Sequence, residues 1–132
     1  MAERIQVRTS ERQQLVDITR QVREHVRASG VQDGLVHLWS LHTTCALTVN
    51  EGADPDVASD MVRFFGRLVP HRADWDHSEG NSDAHVKTTI VGPGLTLILE
   101  RGDLVLGTWQ HVFLAEWDGP RSRQVAVKII GG

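Results

Sequence analysis

Apolar and polar residues alternate from Glu3 to Thr9, with Ile5 and Val7 on one face, and this period of two predicts a short strand. The period then changes. Ile18, Val22 and Val26 recur every four residues, one stripe of a helix for which Asp17 or Thr19 is a candidate N-cap and Gly30 a terminator. Leu35 to Leu41 reads as a strand that delivers His42 at its end, and Cys45 to Val49 as another that delivers Asn50 and Glu51. Asp54-Pro55 opens a second helix: Asp54 suits the cap, and proline suits the first helical position, where its missing N–H is not needed. Val57, Met61, Phe64 or Phe65, and Leu68 are its expected buried stripe, and Pro70 ends it. A polar loop from His71 to Asp83 follows. Beyond it the pattern predicts strands over His85–Val91, Leu95–Leu99, Leu104–Leu106, Trp109–Glu116 and Gln124–Ile130. Gly92-Pro93-Gly94, Arg101-Gly102-Asp103 and Asp118-Gly119-Pro120 mark turns between them. Two helices among about eight strands joined by tight turns indicate an α+β protein built on antiparallel sheet. Few strand pairs are separated by a helix-length crossover, which argues against a doubly wound parallel sheet.

Composition narrows the function classes. A chain of 132 residues with 40% apolar side chains suits a single domain, 1–132, with one ordinary core. The net charge of −3 gives no bulk attraction to nucleic acid or to anionic lipid, since neutralising phosphates needs a basic excess. Cys45 is the one cysteine, so no disulfide can form within the chain, and a reducing, cytoplasmic setting is expected. Met1-Ala2-Glu3-Arg4 opens on charge, and no apolar run approaches membrane-spanning length.

The chemistry-bearing residues gather in four segments. His77 to His85 holds two imidazoles and two carboxylates, Glu79 and Asp83, around Gly80-Asn81, with no large apolar side chain. A segment this polar does not build a core, and long irregular connections in compact domains are usually functional or disordered. His42-Thr43-Thr44 ends a strand. Taken alone, His42 reads as a strand-end histidine bonded to backbone. Taken with His77 and His85 it suggests a three-nitrogen metal site with an open position, the arrangement of a catalytic rather than a structural metal. The alternative is a solvated acidic loop that contains histidines. Asn50-Glu51 precedes a helix N-terminus, a place suited to phosphate or a metal–phosphate complex, or is an exposed loop. In Gly107-Thr108-Trp109-Gln110 the indole can stack on a flat ring while the amide hydrogen-bonds it, or Trp109 is core filler. His25, His37, His71 and His111 read as ordinary surface or structural histidines, and Cys45 as a buried, inert thiol, the alternative being a nucleophile close to His42. Trp39, Trp75 and Trp117 read as structural, with Trp117 a candidate interface residue. Arg121 and Arg123 suggest an anion site or a solvated turn.

In this order the segments resemble the YjbQ-like family, also called secondary thiamine-phosphate synthases and long catalogued as an uncharacterised protein family. The resemblance rests on His42-Thr43-Thr44-Cys45-Ala46-Leu47-Thr48-Val49-Asn50-Glu51, Asp54-Pro55-Asp56-Val57, Glu79-Gly80-Asn81-Ser82-Asp83-Ala84-His85 and Gly107-Thr108-Trp109-Gln110, and it covers nearly the whole chain. It implies packed, sandwich-like antiparallel sheets and a homotrimer. It also implies a weak thiamine-phosphate synthase activity, which joins an aminopyrimidine methyl diphosphate to a thiazole phosphate and releases pyrophosphate. On this reading His42, His77 and His85 are the metal ligands, and Glu51, Glu79, Asp83 and Gln110 are the catalytic candidates. Thr43, Asn50, Asn81, Thr108 and Trp109 bind the ligand. Imidazole-rich donors favour Zn²⁺ or another transition metal over Mg²⁺, which prefers oxygen. The expected partner is a small phosphorylated heterocycle, and neither nucleic acid nor membrane. The alternative is a non-catalytic trimer that binds a metal or metabolite in the same pocket.

Overall fold

The computed structural model describes residues 2–132; Met1 lies outside the described residues. The chain order is β1 (Glu3–Arg8), β2 (Gln14–Asp17), α1 (Thr19–Ser29), β3 (Gly34–Ser40), β4 (Cys45–Glu51), α2 (Pro55–Leu68), α3 (Ser82–Val91), β5 (Gly94–Glu100), β6 (Asp103–Leu104), β7 (Gln110–Glu116) and β8 (Ser122–Gly131). The strands form two antiparallel sheets, one in the order β1-β8-β3-β5-β6 and one in the order β2-β7-β4. The α+β expectation therefore holds, with eight strands but three helices.

The alternation along the strands decides how the sheets pack. Ile5, Val7, Val36, Leu38, Leu97, Leu99, Val125 and Val127 point from the larger sheet into one core. Cys45, Leu47, Val112 and Leu114 meet them from the smaller sheet, and α1 adds Ile18, Val22 and Val26. Each fully buried branched side chain contributes roughly 1.5–3 kcal/mol of transfer free energy. The α1 stripe is as expected, and Gly30 closes the helix at φ 72°. Its cap differs. Ile18 occupies the N-cap position because its N–H is taken by Val112 O at 2.8 Å, and Asp17, one residue earlier, accepts the Thr19 N–H at 3.0 Å.

The outer face of the smaller sheet is covered by α2 and α3, through Ala46, Ala84, Ala115 and Trp117 with Leu15, Phe65 and Val91 packed against them. Trp117 is therefore a buried residue and not an interface residue; its ring centroid lies 5.4 Å from that of Phe65. In α2 the Asp54 cap forms as expected, accepting the Asp56 N–H at 2.9 Å. Of its predicted stripe, Phe64 and Leu68 stay exposed, and only the Phe65 side turns toward the sheet.

The largest correction concerns His85–Val91, which is helix and not strand. Its β-branched residues suggested a strand. The face it buries consists of Asp83, Ala84, Lys87 and Thr88, a helical face whose polar members are paired. Lys87 Nζ lies 2.8 Å from Asp83 Oδ2, and Arg12 reaches Asp83 Oδ1 at 3.0 Å. An ion pair at i, i+4 conceals the 3.6 period from any reading that looks for apolar residues. Two smaller differences follow the same logic. Gln14–Asp17 forms a strand on β7 that its polar composition hid, and the predicted strand at Leu104–Leu106 shrinks to Asp103–Leu104.

A second ion pair joins the two sheets. Arg123 of β8 and Glu116 of β7 are both buried, with Nη2 and Oε2 2.5 Å apart. Thr9 donates to Glu116 at 2.8 Å, and Arg123 donates to Thr44 Oγ1 at 2.8 Å. Arg123 is thus neither an anion site nor a solvated turn residue; only Arg121, paired with Asp118, is exposed. Burial pushes the Glu116 carboxyl up, but the hydrogen bonds from Arg123, the Asp118 N–H and Thr9 outweigh it and hold the group below its ordinary 4.5.

Glu116→Ala strands the Arg123 charge in the core and is expected to cost about 3–5 kcal/mol, read as a lowered urea midpoint. Because the Glu116 and Asp83 carboxyls are both held low, their stabilisation is complete above the ordinary carboxylate range and is lost as pH falls through their lowered values. Acid unfolding of the Asp83→Asn, Glu116→Gln double variant is therefore expected to depend less on pH than that of the wild type, and equal slopes would refute this.

Candidate functional site

The turn from β3 to β4 and the exposed side of α3 enclose an open cleft of about 680 Å³. Trp39, Leu41 and Pro93 form its apolar wall, and His42, Thr43, His85 and Thr88 its polar part. The wall is flat for a sequence reason. Trp39 pairs with Gly94 across β3 and β5, and its ring lies so close to that glycine that a Cβ there would fall 2.5 Å from it. Trp39, expected to be structural, is half exposed and lines the cleft.

His42 is anchored from behind. Its Nε2 accepts the Gln124 backbone N–H at 2.8 Å, so the neutral ring carries its proton on Nδ1. Burial lowers its pKa below the ordinary 6.5, and the positive charge of Arg123 adds to this; Glu116 opposes and Arg121 reinforces. Serving as an acceptor for backbone matches the ordinary reading of a strand-end histidine. The Nδ1–H is what remains for a ligand.

His85 sits on the first turns of α3, and His77 comes from the preceding loop. Their ring centroids are 5.6 Å apart and nearly perpendicular. His77 Nε2 lies 3.7 Å from the exposed Glu79 carboxylate. The fold thus brings His42 and His85 to one cleft and places His77 and Glu79 beside His85. Asp83 is fully buried, with both oxygens committed to Arg12 and Lys87. Asn81 is buried at the start of α3, where its Nδ2 donates to Asp118 at 2.9 Å. Its Oδ1 and the Thr88 Oγ1 find no partner among the described residues.

The remaining candidates lie elsewhere. β4 and β7 pair from Cys45 with Glu116 at one end to Glu51 with Gln110 at the other. Six steps of strand put Asn50, Glu51, Thr108, Trp109 and Gln110 roughly 20 Å from the His42 end. There Glu51 Oε2 accepts the Ala53 and Asp54 N–H groups, and Gln110 Oε1 accepts the Gly107 N–H at 2.8 Å. Trp109 is 63% exposed, so it is not core filler. At this end the sequence reading missed His111, which pairs with Asp17 at 2.5 Å. No sequence pattern marks it; in the fold Gly52 lies against its ring, where a Cβ would fall 2.1 Å away.

The donor set fits a three-histidine metal centre poorly within one chain. The His42 Nε2 lone pair is occupied, and among the described residues no three His, Cys, Asp or Glu side chains converge to hold an ion. His77 and His85 are the imidazoles that stay available, with Glu79 near them. Among the described residues no helix is long and apolar enough to cross a membrane.

Comparisons with known proteins agree with this fold. Residues 3–132 match the family profile described as "UPF0047 protein YjbQ-like". A UPF0047 protein of Methanocaldococcus jannaschii is 46% identical over 126 residues, covering 96% of this chain and 91% of its own. The UPF0047 protein YugU of Bacillus subtilis is 41% identical over 132 residues, covering 99% of this chain and all of its own. A crystal structure of a YjbQ/UPF0047-family protein from Clostridium acetobutylicum superimposes with a TM-score of 0.95 at 44% identity, covering 97% of this chain and 99% of that one. With a match over nearly its entire length and relatives at this level of identity, the chain belongs to the UPF0047, YjbQ-like family.

Proposed function

We propose that the cleft between the β3–β4 turn and α3 binds a small molecule carrying a flat heterocycle, that His42 donates a hydrogen bond to it, and that His85 transfers protons to and from it. The observation that carries this reading is the fixed state of His42. Backbone holds Nε2, the ring is kept neutral by burial and by Arg123, and the Nδ1–H is left as a preset donor in a cleft whose other side carries His85. A preorganised hydrogen-bond donor of this kind contributes about 10²–10³-fold when it is aimed at developing negative charge. The Trp39 face offers a stacking surface for a ring.

The family resemblance extends the reading to a substrate class, a phosphorylated heterocycle, and to a thiamine-phosphate-forming condensation. In that reaction the thiazole nitrogen attacks the pyrimidine methylene carbon, the carbon–oxygen bond breaks, and pyrophosphate leaves with the electron pair. The His42 Nδ1–H would hydrogen-bond the leaving oxygen, and His85 in its imidazolium form would supply the proton. The expected homotrimer is supported by the outer face of the larger sheet, where Leu35, Ile98 and Ile130 are exposed side by side across β5, β3 and β8. Contiguous apolar surface of this kind usually meets a partner. A transition metal at His77 and His85 would need ligands from outside this chain.

The test uses chelator-dialysed protein, reloaded or not with Zn²⁺ or Mg²⁺, with an aminopyrimidine methyl diphosphate and a thiazole phosphate as substrates. His42→Ala and His85→Ala are each expected to lower turnover by about 10²-fold or more while the fold is retained, checked by near-UV circular dichroism. Undiminished turnover in the double variant would remove the proposal. Tight binding without turnover at any metal loading would instead indicate a non-catalytic binding protein. In an NMR titration His42 is expected to protonate below 6.5. Activity that needs the neutral ring then persists below that pH and falls only as pH drops through the lowered value; a midpoint above 6.5 contradicts this.

A further inference from the structure

At the far end of β7 a second recess, of about 540 Å³, is lined by Asp17, Thr19, Arg20, Arg23, Arg27 and His111. None of these is part of the His42 cleft, and the inference below does not rest on the function proposed for that cleft. Arg20, Arg23 and Arg27 stand at i, i+3 and i+7 of α1, so their side chains share one face. Arg23 Nε is 3.0 Å from Asp103 Oδ1, which orients it while leaving its outer nitrogens without a partner among the described residues. Arg20 is held only by a 3.4 Å contact with Glu24, both groups being largely exposed. Arg27 forms no side-chain hydrogen bond or ion pair among the described residues, although it lines the recess.

The His111–Asp17 pair closes the other side. Asp17 Oδ1 accepts from the Thr19 N–H at 3.0 Å and its hydroxyl at 2.6 Å, and Oδ2 accepts from His111 Nδ1 at 2.5 Å. An aspartate held on both oxygens fixes the imidazole ring and makes Nδ1 its proton-bearing atom, so Nε2 is the atom left for a ligand. Its lone pair can accept the P–OH hydrogen of a hydrogen phosphate.

We propose that this recess binds the phosphate group of a small phosphorylated molecule, gripped by Arg20, Arg23 and Arg27 and contacted by His111. Guanidinium forks match phosphate oxygens in geometry and give charge-assisted hydrogen bonds about twice as strong as neutral ones. The chain's net charge of −3 makes a locally cationic recess a feature of placement and not of bulk composition. Glu24 contacts Arg20, Asp103 contacts Arg23 and Asp17 lines the recess, and these carboxylates limit the excess charge, which favours one phosphate over a polyanion.

The test titrates the whole chain with inorganic phosphate and with pyrophosphate at constant ionic strength, followed by calorimetry and by the His111 ring resonances. Saturable binding that shifts His111 is expected. Arg20→Ala with Arg27→Ala should weaken it about tenfold or more, since two charge-assisted contacts are lost. Arg8→Ala, on the exposed edge strand β1, should leave it unchanged. No saturation by about 10 mM phosphate, equal affinity in the double variant, or an equal loss in Arg8→Ala would each overturn the site. Arginine-dependent binding to phosphatidic-acid vesicles with no binding of soluble phosphate would overturn the small-molecule assignment and identify a lipid headgroup instead. Both arginines are exposed, so unfolding of the variant is not expected; unchanged near-UV circular dichroism checks this.

Discussion

The Arg123–Glu116 pair is the interaction on which the His42 end of the molecule depends. It links the end of β7 in the smaller sheet to the start of β8 in the larger one, and it carries charge into the core. Such a pair is tolerated because every partner is present: Thr9 and the Asp118 N–H on the carboxylate, Thr44 on the guanidinium. The same residues set the state of His42. Gln124, next to Arg123, holds Nε2 through its backbone, and the charge of Arg123 works with burial against protonation of the ring. Structural closure and chemical tuning are therefore one feature of the fold.

A second buried pair plays the equivalent part for His85. Lys87 and Asp83 bury the inner face of α3 against the smaller sheet, with Arg12 completing the charge balance and the Lys87 ammonium 5.7 Å from the Trp117 ring. Pinning that face orients the opposite one, so His85 and Thr89 turn toward the β3–β4 turn. Asp83 thus contributes to the cleft through helix placement, while its own oxygens face inward.

The length of β4 separates two collections of polar residues. One end holds a neutral imidazole above an apolar wall, the other three guanidinium groups and a histidine–aspartate pair. The first offers a hydrogen-bond donor beside a flat apolar wall and the second offers three guanidinium groups, so the charges facing the two recesses differ.

Much of the architecture was legible from residue order. The strands around Ile5, Val36, Leu47, Leu97 and Val125, the stripe of α1 and the Asp54-Pro55 start of α2 follow from apolar period and capping chemistry, which act over a few neighbouring residues. The family was legible as well, because each of its marker segments is contiguous in the sequence. The helix at Ser82–Val91 was not legible, since its buried face is an ion pair that looks like surface until Arg12 and Trp117 are placed against it. Nor was the pairing of His111 with Asp17, 94 positions apart in sequence, or the occupation of His42 Nε2 by a backbone group 82 positions away. Local sequence determines period, caps and turns; which lone pair is free, and which charge finds its partner, depends on residues distant along the chain and is decided only when the two sheets close.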